Sequence, residues 1–424
     1  MEHQTQPSPC QHKLKRSSWA ALLATALDHY DVALYGFMAP VLVEVFLPML
    51  ETVPALILAY CITPLGMLSR PLGALIIGNI GDKLGRKKAL SLAVWGMALT
   101  TTCIGFLPTY AQVGALAPIL FAIFKLIQDF FLAGSYSGGA IFALEHARLE
   151  RKGWWSGVYI SATVIGILLA SLAATIVAYL PVGYWRIAYI AALATGGVAV
   201  YIRKYAIETP EFLKAQAIKR DKTLRNLKAN FIRVWPGVFC TILVSFCYST
   251  LTKMVQVFMN VFILQVTSIP LKIVMTVHTL GLLLFLMVLP FFGSLADRIG
   301  LGRSMLYGAL ATLCLSFPLF KLLEYDSLMC VVCMKFVFVI LSAWFVAPFH
   351  AWAHSLFAVQ ERYTFVSLGY AIGSRIGSCM IPLALYLWNH TQLSALPCFV
   401  LMIGSALGAW GLIKNQKLSH RHRC

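Results

Sequence analysis

Gly78-Asn79-Ile80-Gly81-Asp82-Lys83-Leu84-Gly85-Arg86-Lys87-Lys88 closes one long apolar stretch, and Gly293-Ser294-Leu295-Ala296-Asp297-Arg298-Ile299-Gly300 closes another, 215 positions later. About half of the 424-residue chain separates the copies. The signature therefore reads as the same loop in two similar halves, a parallel repeat of the kind used by membrane carriers that rock two bundles about a midplane site. Its chemistry is readable. Gly78, Gly81, Gly85 and Gly293 let helices approach closely. Asp82 and Asp297 are suited either to cap the N-terminus of a neighbouring helix or to pair with Arg86 and Arg298. Such a cluster belongs where a cytoplasmic gate closes. A generic basic loop holds a few of these residues by chance, but not two copies at corresponding positions.

Composition agrees with a membrane setting. The chain is 59% hydrophobic and 12% charged, where an average soluble domain is about 45–50% apolar and about 25% charged. A mean hydropathy of +0.78 excludes disorder as well as a soluble globule. Apolar runs place twelve spans near 18–47, 54–80, 88–108, 113–137, 154–180, 187–204, 234–265, 271–295, 303–322, 328–357, 363–388 and 394–414. The expected fold is an all-α integral membrane protein of twelve transmembrane helices in two six-helix pseudo-repeat halves. Its parts are an N-terminal tail (1–17), a first half (18–204), a basic linker (205–233), a second half (234–414) and a C-terminal tail (415–424).

Lys and Arg number 34 against 16 Asp and Glu, giving a net charge of +18. In a soluble chain that excess points to nucleic acid, but no nucleic-acid motif occurs, and in a membrane protein it reports topology. With the N-terminus inside, the cytoplasmic segments carry 26 basic residues and the outer loops only Arg186, Lys272 and Lys321. Both termini are expected in the cytoplasm. The stretch 203–233 carries nine basic residues with Phe212, Leu213 and Ile218, a pattern that fits either a helix lying on anionic lipid or a solvated connector. Lys13, Lys15 and Arg16 before an apolar run mimic a signal peptide, but Asp28 and Asp31 inside that run make it the first span. The cysteines show no paired framework, and Cys330-x-x-Cys333 lacks a second pair or a ligand His.

Four segments resemble the major facilitator superfamily, and within it the metabolite:proton symporter family. They are Asp28-His29-Tyr30-Asp31 with Tyr35-Gly36-Phe37; Arg70-Pro71-Leu72-Gly73 leading into the first loop signature; Gln128 to Ser137; and Glu208-Thr209-Pro210-Glu211-Phe212. In the second half, the repeated loop and Arg362-Tyr363 are the best matches. The resemblance implies the twelve-helix fold and transport of proline/betaine-like, α-ketoglutarate-like, citrate-like or shikimate-like solutes with protons. There are departures. Where the family has Arg-x-x-Gln-Gly and then Gly-Gly-Glu, this chain has Lys125-Leu126-Ile127-Gln128-Asp129 and Ala133-Gly134-Ser135. One carboxylate is lost and another appears six positions earlier. The second loop copy has two residues inserted before Arg303.

Charges inside spans cost about 2.5–3.5 kcal/mol each on insertion scales, so they mark candidate pathways. Asp28 and Asp31 share a helix face with Tyr35. Their mutual repulsion makes them a candidate proton carrier, or alternatively a strut paired to Arg70 or Lys125. Lys125 and Asp129, at i and i+4, are able to neutralise each other within one helix. Arg375 lies among Gly369, Gly373 and Gly377, a ridge expected to pack tightly on another helix; it suits capture of a carboxylate or a bridge to Asp28 or Asp31. Lys253 heads a polar stripe with Gln256 and Asn260. Glu44 and Lys335, nearer the outer ends of their spans, are expected to snorkel. His350, His354 and His278 are expected to pack between helices or meet solute rather than bind metal, since no metal-protease pattern accompanies them.

The resulting expectation is a secondary transporter of a small carboxylated or zwitterionic metabolite, using alternating access and proton symport. It has no catalytic residue, no cofactor beyond the coupling proton, and no metal. Its partners are the small-molecule substrate and the lipid bilayer, with no nucleic acid, and it is expected to be a monomer in a bacterial inner membrane. The alternative is a transport-inactive sensor or interaction protein on the same fold.

Overall fold

The computed structural model describes residues 9–48, 69–218, 227–391, 393 and 395–421. Among these it forms helices and no strand. The long helices are α1 (Pro9–Phe46), α2 (69–84), α3 (Arg86–Gly105), α4 (Leu116–Glu145), α5 (Lys152–Ala178) and α6 (Trp185–Tyr205). They continue as α7 (Arg233–Val266), α8 (Leu271–Ile299), α9 (Leu301–Lys321), α10 (Leu328–Ser355), α11 (Arg362–Thr391) and α12 (Cys398–Arg421). Each expected span thus meets a helix. Helix α1 starts at Pro9, inside the segment read as a tail, and α4 runs on to Glu145. The expected start of the second span and the middle of the linker lie outside the described residues.

Nine of these helices, α4 to α12, are long and apolar enough to cross a bilayer. Helix α1 dilutes its apolar run with Asp28, Asp31 and Glu44, and α3 opens on Arg86-Lys87-Lys88. Short helices at Tyr110–Val113 and Pro210–Ile218 fill connections.

The chain divides into two units. The first holds residues 1–148, 162–222 and 358–367; the second holds 149–161, 223–357 and 368–424. The first N-terminal turns of α5 and α11 therefore belong to units other than those of their sequence neighbours. In the first unit, Tyr35, Met38, Phe46, Phe121, Trp185 and Tyr189 build an aromatic core between α1, α4 and α6, with Phe46 5.1 Å from Phe121 and 5.7 Å from Trp185 between ring centroids. In the second unit, α7 packs on α12 and on the glycine ridge of α11. Side chains at Gly369, Gly373 and Gly377 would strike Thr241, Ile242 and Phe246 of α7, so the ridge makes the close helix contact its spacing implies. Helix α7 also contains a π-helical turn at Met254–Phe258.

Overpacking a tight interior site costs about 1–3 kcal/mol, and at Gly373 the obstacle is backbone, which has little room to yield. Gly373→Leu is expected to cut the yield of monodisperse protein on size-exclusion chromatography severalfold. Gly197→Leu, a position with nothing within 4 Å, is expected to leave it unchanged. Equal yields would contradict the packing argument.

Candidate functional site

In the first unit, α1 buries Asp28 and Asp31 three residues apart. The Ser135 hydroxyl of α4 donates to Asp28 Oδ2, and Thr195 of α6 donates to Asp31 Oδ2 at 3.5 Å. Ser135 stands where the family pattern has a carboxylate, so this chain supplies Asp28 with a hydroxyl donor instead of a further negative charge. One turn beyond Asp31, the Tyr35 ring lies 4.8 Å from the Lys125 ammonium. Lys125 Nζ donates to Gln128 Oε1 at 2.5 Å, and the Gln128 amide donates to Thr101 Oγ1 at 2.7 Å.

The pairing within α4 differs from the i, i+4 expectation. Arg70 of α2 donates to Asp129 Oδ1 through Nη2 at 2.9 Å and Nε at 3.3 Å. Lys125 turns instead to Tyr35 and Gln128. Counting charge along one helix misses a guanidinium arriving from a neighbouring helix, whose fork outcompetes a single flexible ammonium. Arg70 is thus engaged with Asp129 rather than serving as the strut for Asp28 and Asp31. Over the five side chains Asp28, Asp31, Asp129, Arg70 and Lys125, three carboxylates face two cations.

The loop signature is built as a double cap. Gly85 holds φ at 111°, a left-handed conformation open to glycine, and this turns the chain from α2 into α3. Asp82, at the end of α2, accepts from Tyr363 N–H at 3.1 Å, Thr364 N–H at 2.9 Å and Thr364 Oγ1 at 2.7 Å. The two N–H groups are first-turn donors of α11, which no intrahelical carbonyl satisfies. Arg86 Nη1 donates to Asp82 Oδ1 at 2.9 Å and to Gly81 O at 2.5 Å, and Nη2 donates to Val359 O. The two readings of Asp82, cap or ion pair, hold together. Gly78 and Gly81 face Thr364 and the Tyr363 ring so closely that added side chains would strike them.

Arg86 is fully buried and its charge is shared. Glu145 Oε2 lies 3.5 Å from Arg86 Nε, and Glu145 Oε1 accepts from Arg362 at 2.8 Å, while Arg362 also donates to Glu211 at 2.6 Å. Thr209 donates to Glu145 Oε2 at 2.5 Å. Glu208 accepts from the Arg86 and Lys87 N–H groups at the start of α3, at 3.1 and 3.2 Å. Burial pushes the Glu208 carboxyl above its usual range, against the opposing pull of the Thr209, Lys87 and Arg86 N–H donors and the Arg86 charge. Glu208 and Glu211 were visible in the sequence through their family-like segment; Glu145 was not, because an acidic residue at a helix end has no distinctive spacing.

The second unit repeats the cap. Asp297, at the end of α8, accepts from Gly153 N–H at 2.6 Å and Trp154 N–H at 2.9 Å, the first-turn donors of α5. Gly293 meets the Gly153 and Trp154 backbone as Gly78 meets Thr364. Among the described residues no guanidinium joins this copy. Arg298, expected in the cluster, is exposed, because one helical step after the aspartate points away from the capped helix and the two-residue insertion moves the next arginine to 303.

Elsewhere in this unit Arg375 is buried on α11, and Lys253 is exposed just before the π-helical turn, with Asn260 buried after it. Lys335 departs from the snorkelling expectation: it is 2% exposed, with Nζ donating to Val255 O at 2.7 Å and Asn260 Oδ1 at 2.6 Å. Glu44 is exposed. His350 sits among the Tyr159, Tyr248, Phe349 and Tyr370 rings.

A family model for the Major Facilitator Superfamily matches residues 21–382. The chain belongs to the Major Facilitator Superfamily. It is 28% identical to the proline/betaine transporter of Salmonella typhimurium over 96% of this chain and 85% of the relative, and 29% identical to the shikimate transporter of Escherichia coli K12 over 87% and 86%. Among solved structures, a double-tryptophan mutant of XylE superposes with a TM-score of 0.76 at 15% identity, covering 94% of each chain. FucP in its outward conformation gives 0.65 at 13% identity, covering 93% of this chain and 98% of that one. These structural likenesses show the fold. The protein is a multi-pass membrane transporter of a small metabolite with the twelve-helix superfamily fold, and not an enzyme.

Because Asp82 and Arg86 contact helix ends and other side chains, their loss should strike turnover before recognition. Asp82→Asn and Arg86→Ala are expected to slow uptake by at least about 10-fold, the effect of weakening one set of charge-assisted bonds in a rate-determining state. Equilibrium solute binding to the purified variants is expected to stay within a factor of two of wild type. Affinity falling in step with rate would assign these residues to binding instead.

Proposed function

We propose that the chain is a proton-coupled symporter of a small carboxylated or zwitterionic metabolite, working by alternating access as a monomer in a bacterial inner membrane with both termini cytoplasmic. The substrate class is supported by the relatives, named for proline and betaine, shikimate and alpha-ketoglutarate, solutes that share a carboxylate. The orientation is supported by the distribution of Lys and Arg. Asp28, Asp31, Tyr35, Arg70, Lys125 and Asp129 form the proton pathway, with Lys253 and Arg375 on the solute pathway. The signature residues Gly78 to Arg86, with Gly293, Asp297 and Arg298, form the cytoplasmic gate, and no cofactor other than the proton is needed.

The observation that carries the coupling is the charge balance on α1, α2 and α4. Three carboxylates against two cations leave one negative charge in a buried cluster, and an uncompensated buried charge is expensive. Taking up one proton makes the cluster neutral. Asp28 is the acceptor in this reading: Asp129 is held by Arg70, and among the described residues the donor to Asp28 is the neutral Ser135 hydroxyl.

Uptake of radiolabelled proline, glycine betaine, shikimate and α-ketoglutarate into proteoliposomes, with and without an imposed inward proton gradient, tests both parts. Accumulation of at least one solute only with the gradient is the expected result. Asp28→Asn, fixed in the neutral form, is expected to abolish accumulation while downhill exchange persists. Gradient-driven accumulation that survives in both Asp28→Asn and Asp31→Asn would make the pair structural and pass the role to Asp129.

A further inference from the structure

Lys125 stands four residues before Asp129 on α4, yet a chain of donors that ends in α3 holds its ammonium elsewhere. Lys125 Nζ donates to Gln128 Oε1, Gln128 Nε2 donates to Thr101 Oγ1, and the Thr101 hydroxyl donates to Met97 O at 2.9 Å. Thr101 and Gln128 are fully buried. Thr101 also lies against the Asp31 carboxylate, as Thr195 does from α6.

The direction of the chain is fixed. A backbone carbonyl and an ionised carboxylate only accept, so the Thr101 proton goes to one of them and its oxygen receives the Gln128 amide. Gln128 Oε1 is thereby left to face the ammonium. Turned over, the amide would present its NH2 to a group that only donates. The Tyr35 ring of α1, one turn beyond Asp31, gives Lys125 its other contact at 4.8 Å, and both of these partners are neutral. Asp129 and Arg70 act on Lys125 with opposite signs, while Asp31 attracts it.

We propose that Thr101 and Gln128 are positioning residues for proton coupling, which keep Lys125 as the counter-ion of Asp31 and off Asp129. The inference rests on the proton-symport reading above and deepens it by naming the neutral side chains that distribute the charges. Arg70 then balances Asp129 and Lys125 balances Asp31, so one proton exchanged at Asp28 switches the cluster between neutral and negative. Without the Thr101 anchor the Gln128 amide turns, and Lys125 is free to take the i, i+4 position on Asp129. Release of the proton from Asp28 would then leave two adjacent buried carboxylates with no cation opposite them.

The full-length protein in proteoliposomes is assayed with whichever of labelled proline, glycine betaine, shikimate and α-ketoglutarate the wild type accumulates. Two modes are compared, accumulation driven by an inward proton gradient and solute counterflow without one. Thr101→Val keeps the side-chain shape and removes the hydroxyl; it is expected to lower the accumulation ratio about 10-fold, as for loss of one buried hydrogen bond, with counterflow within about twofold of wild type. Thr101→Ser, which retains the hydroxyl, is expected to keep wild-type accumulation. Gln128→Leu, which removes the acceptor itself, is expected to separate the two modes as Thr101→Val does. Wild-type accumulation in Thr101→Val or Gln128→Leu overturns the inference, as does failure of Thr101→Ser to accumulate. Equal loss in both modes also overturns it, since a structural role lowers both together. If the wild type itself accumulates none of the four solutes in response to the gradient, the proton-symport reading fails and takes the inference with it.

Discussion

A carboxylate at the end of one helix, bonded to the free N–H groups that open another, is the interaction on which the loop signature depends. Helix N-termini expose donors that the helix cannot satisfy and a partial positive charge. Asp82 meets two such donors and a threonine hydroxyl on α11, and Asp297 meets two on α5. The surrounding glycines follow from this contact, since the carboxylate reaches the helix end only where the backbones approach closely. A cap contributes about 1 kcal/mol and a favourable helix-end charge up to ~2 kcal/mol. That magnitude would suit the gate proposed above, a contact that holds one conformation and yields to another, because states separated by a few kcal/mol exchange readily.

The two caps are unequal, and the difference lies in their arginines. Arg86 ties Asp82 to Glu145 and the Val359 carbonyl, and Glu145 extends the network through Arg362 to Glu211. Among the described residues Asp297 has no such partner, and Arg298 is exposed. Sequence symmetry between the copies therefore overstates their chemical symmetry. The first copy is a branched ionic network in which each charge depends on its neighbours, whereas the second is a plain cap.

Much of this was legible in the sequence because it rests on local spacing. Apolar runs gave the helices, the glycine ridge of α11 gave a close packing contact, and the aspartate of the signature offered two roles that the structure combines. What spacing conceals is the partner. Thr364 lies 282 positions from Asp82, and no periodicity connects them. Asp129 was matched with Lys125 because both sit on one helix, while its partner Arg70 comes from another. Lys335 was placed at a span's outer end by counting residues, but a π-helical turn in α7 presents it with a backbone carbonyl. The loss of a carboxylate at position 135 stood out in the sequence; its meaning came only with the Ser135 hydroxyl seated on Asp28.

The central claim, that the Asp82 cap is a latch which opens and re-forms, is tested most directly by spin labels at the exposed positions Lys83 and Gln360, one beside the cap and one before the helix it holds. Electron-paramagnetic-resonance distance measurements on the reconstituted protein are predicted to show a short and a longer population, with Asp82→Asn shifting weight to the longer one. A single short population, unchanged by Asp82→Asn, would contradict the account.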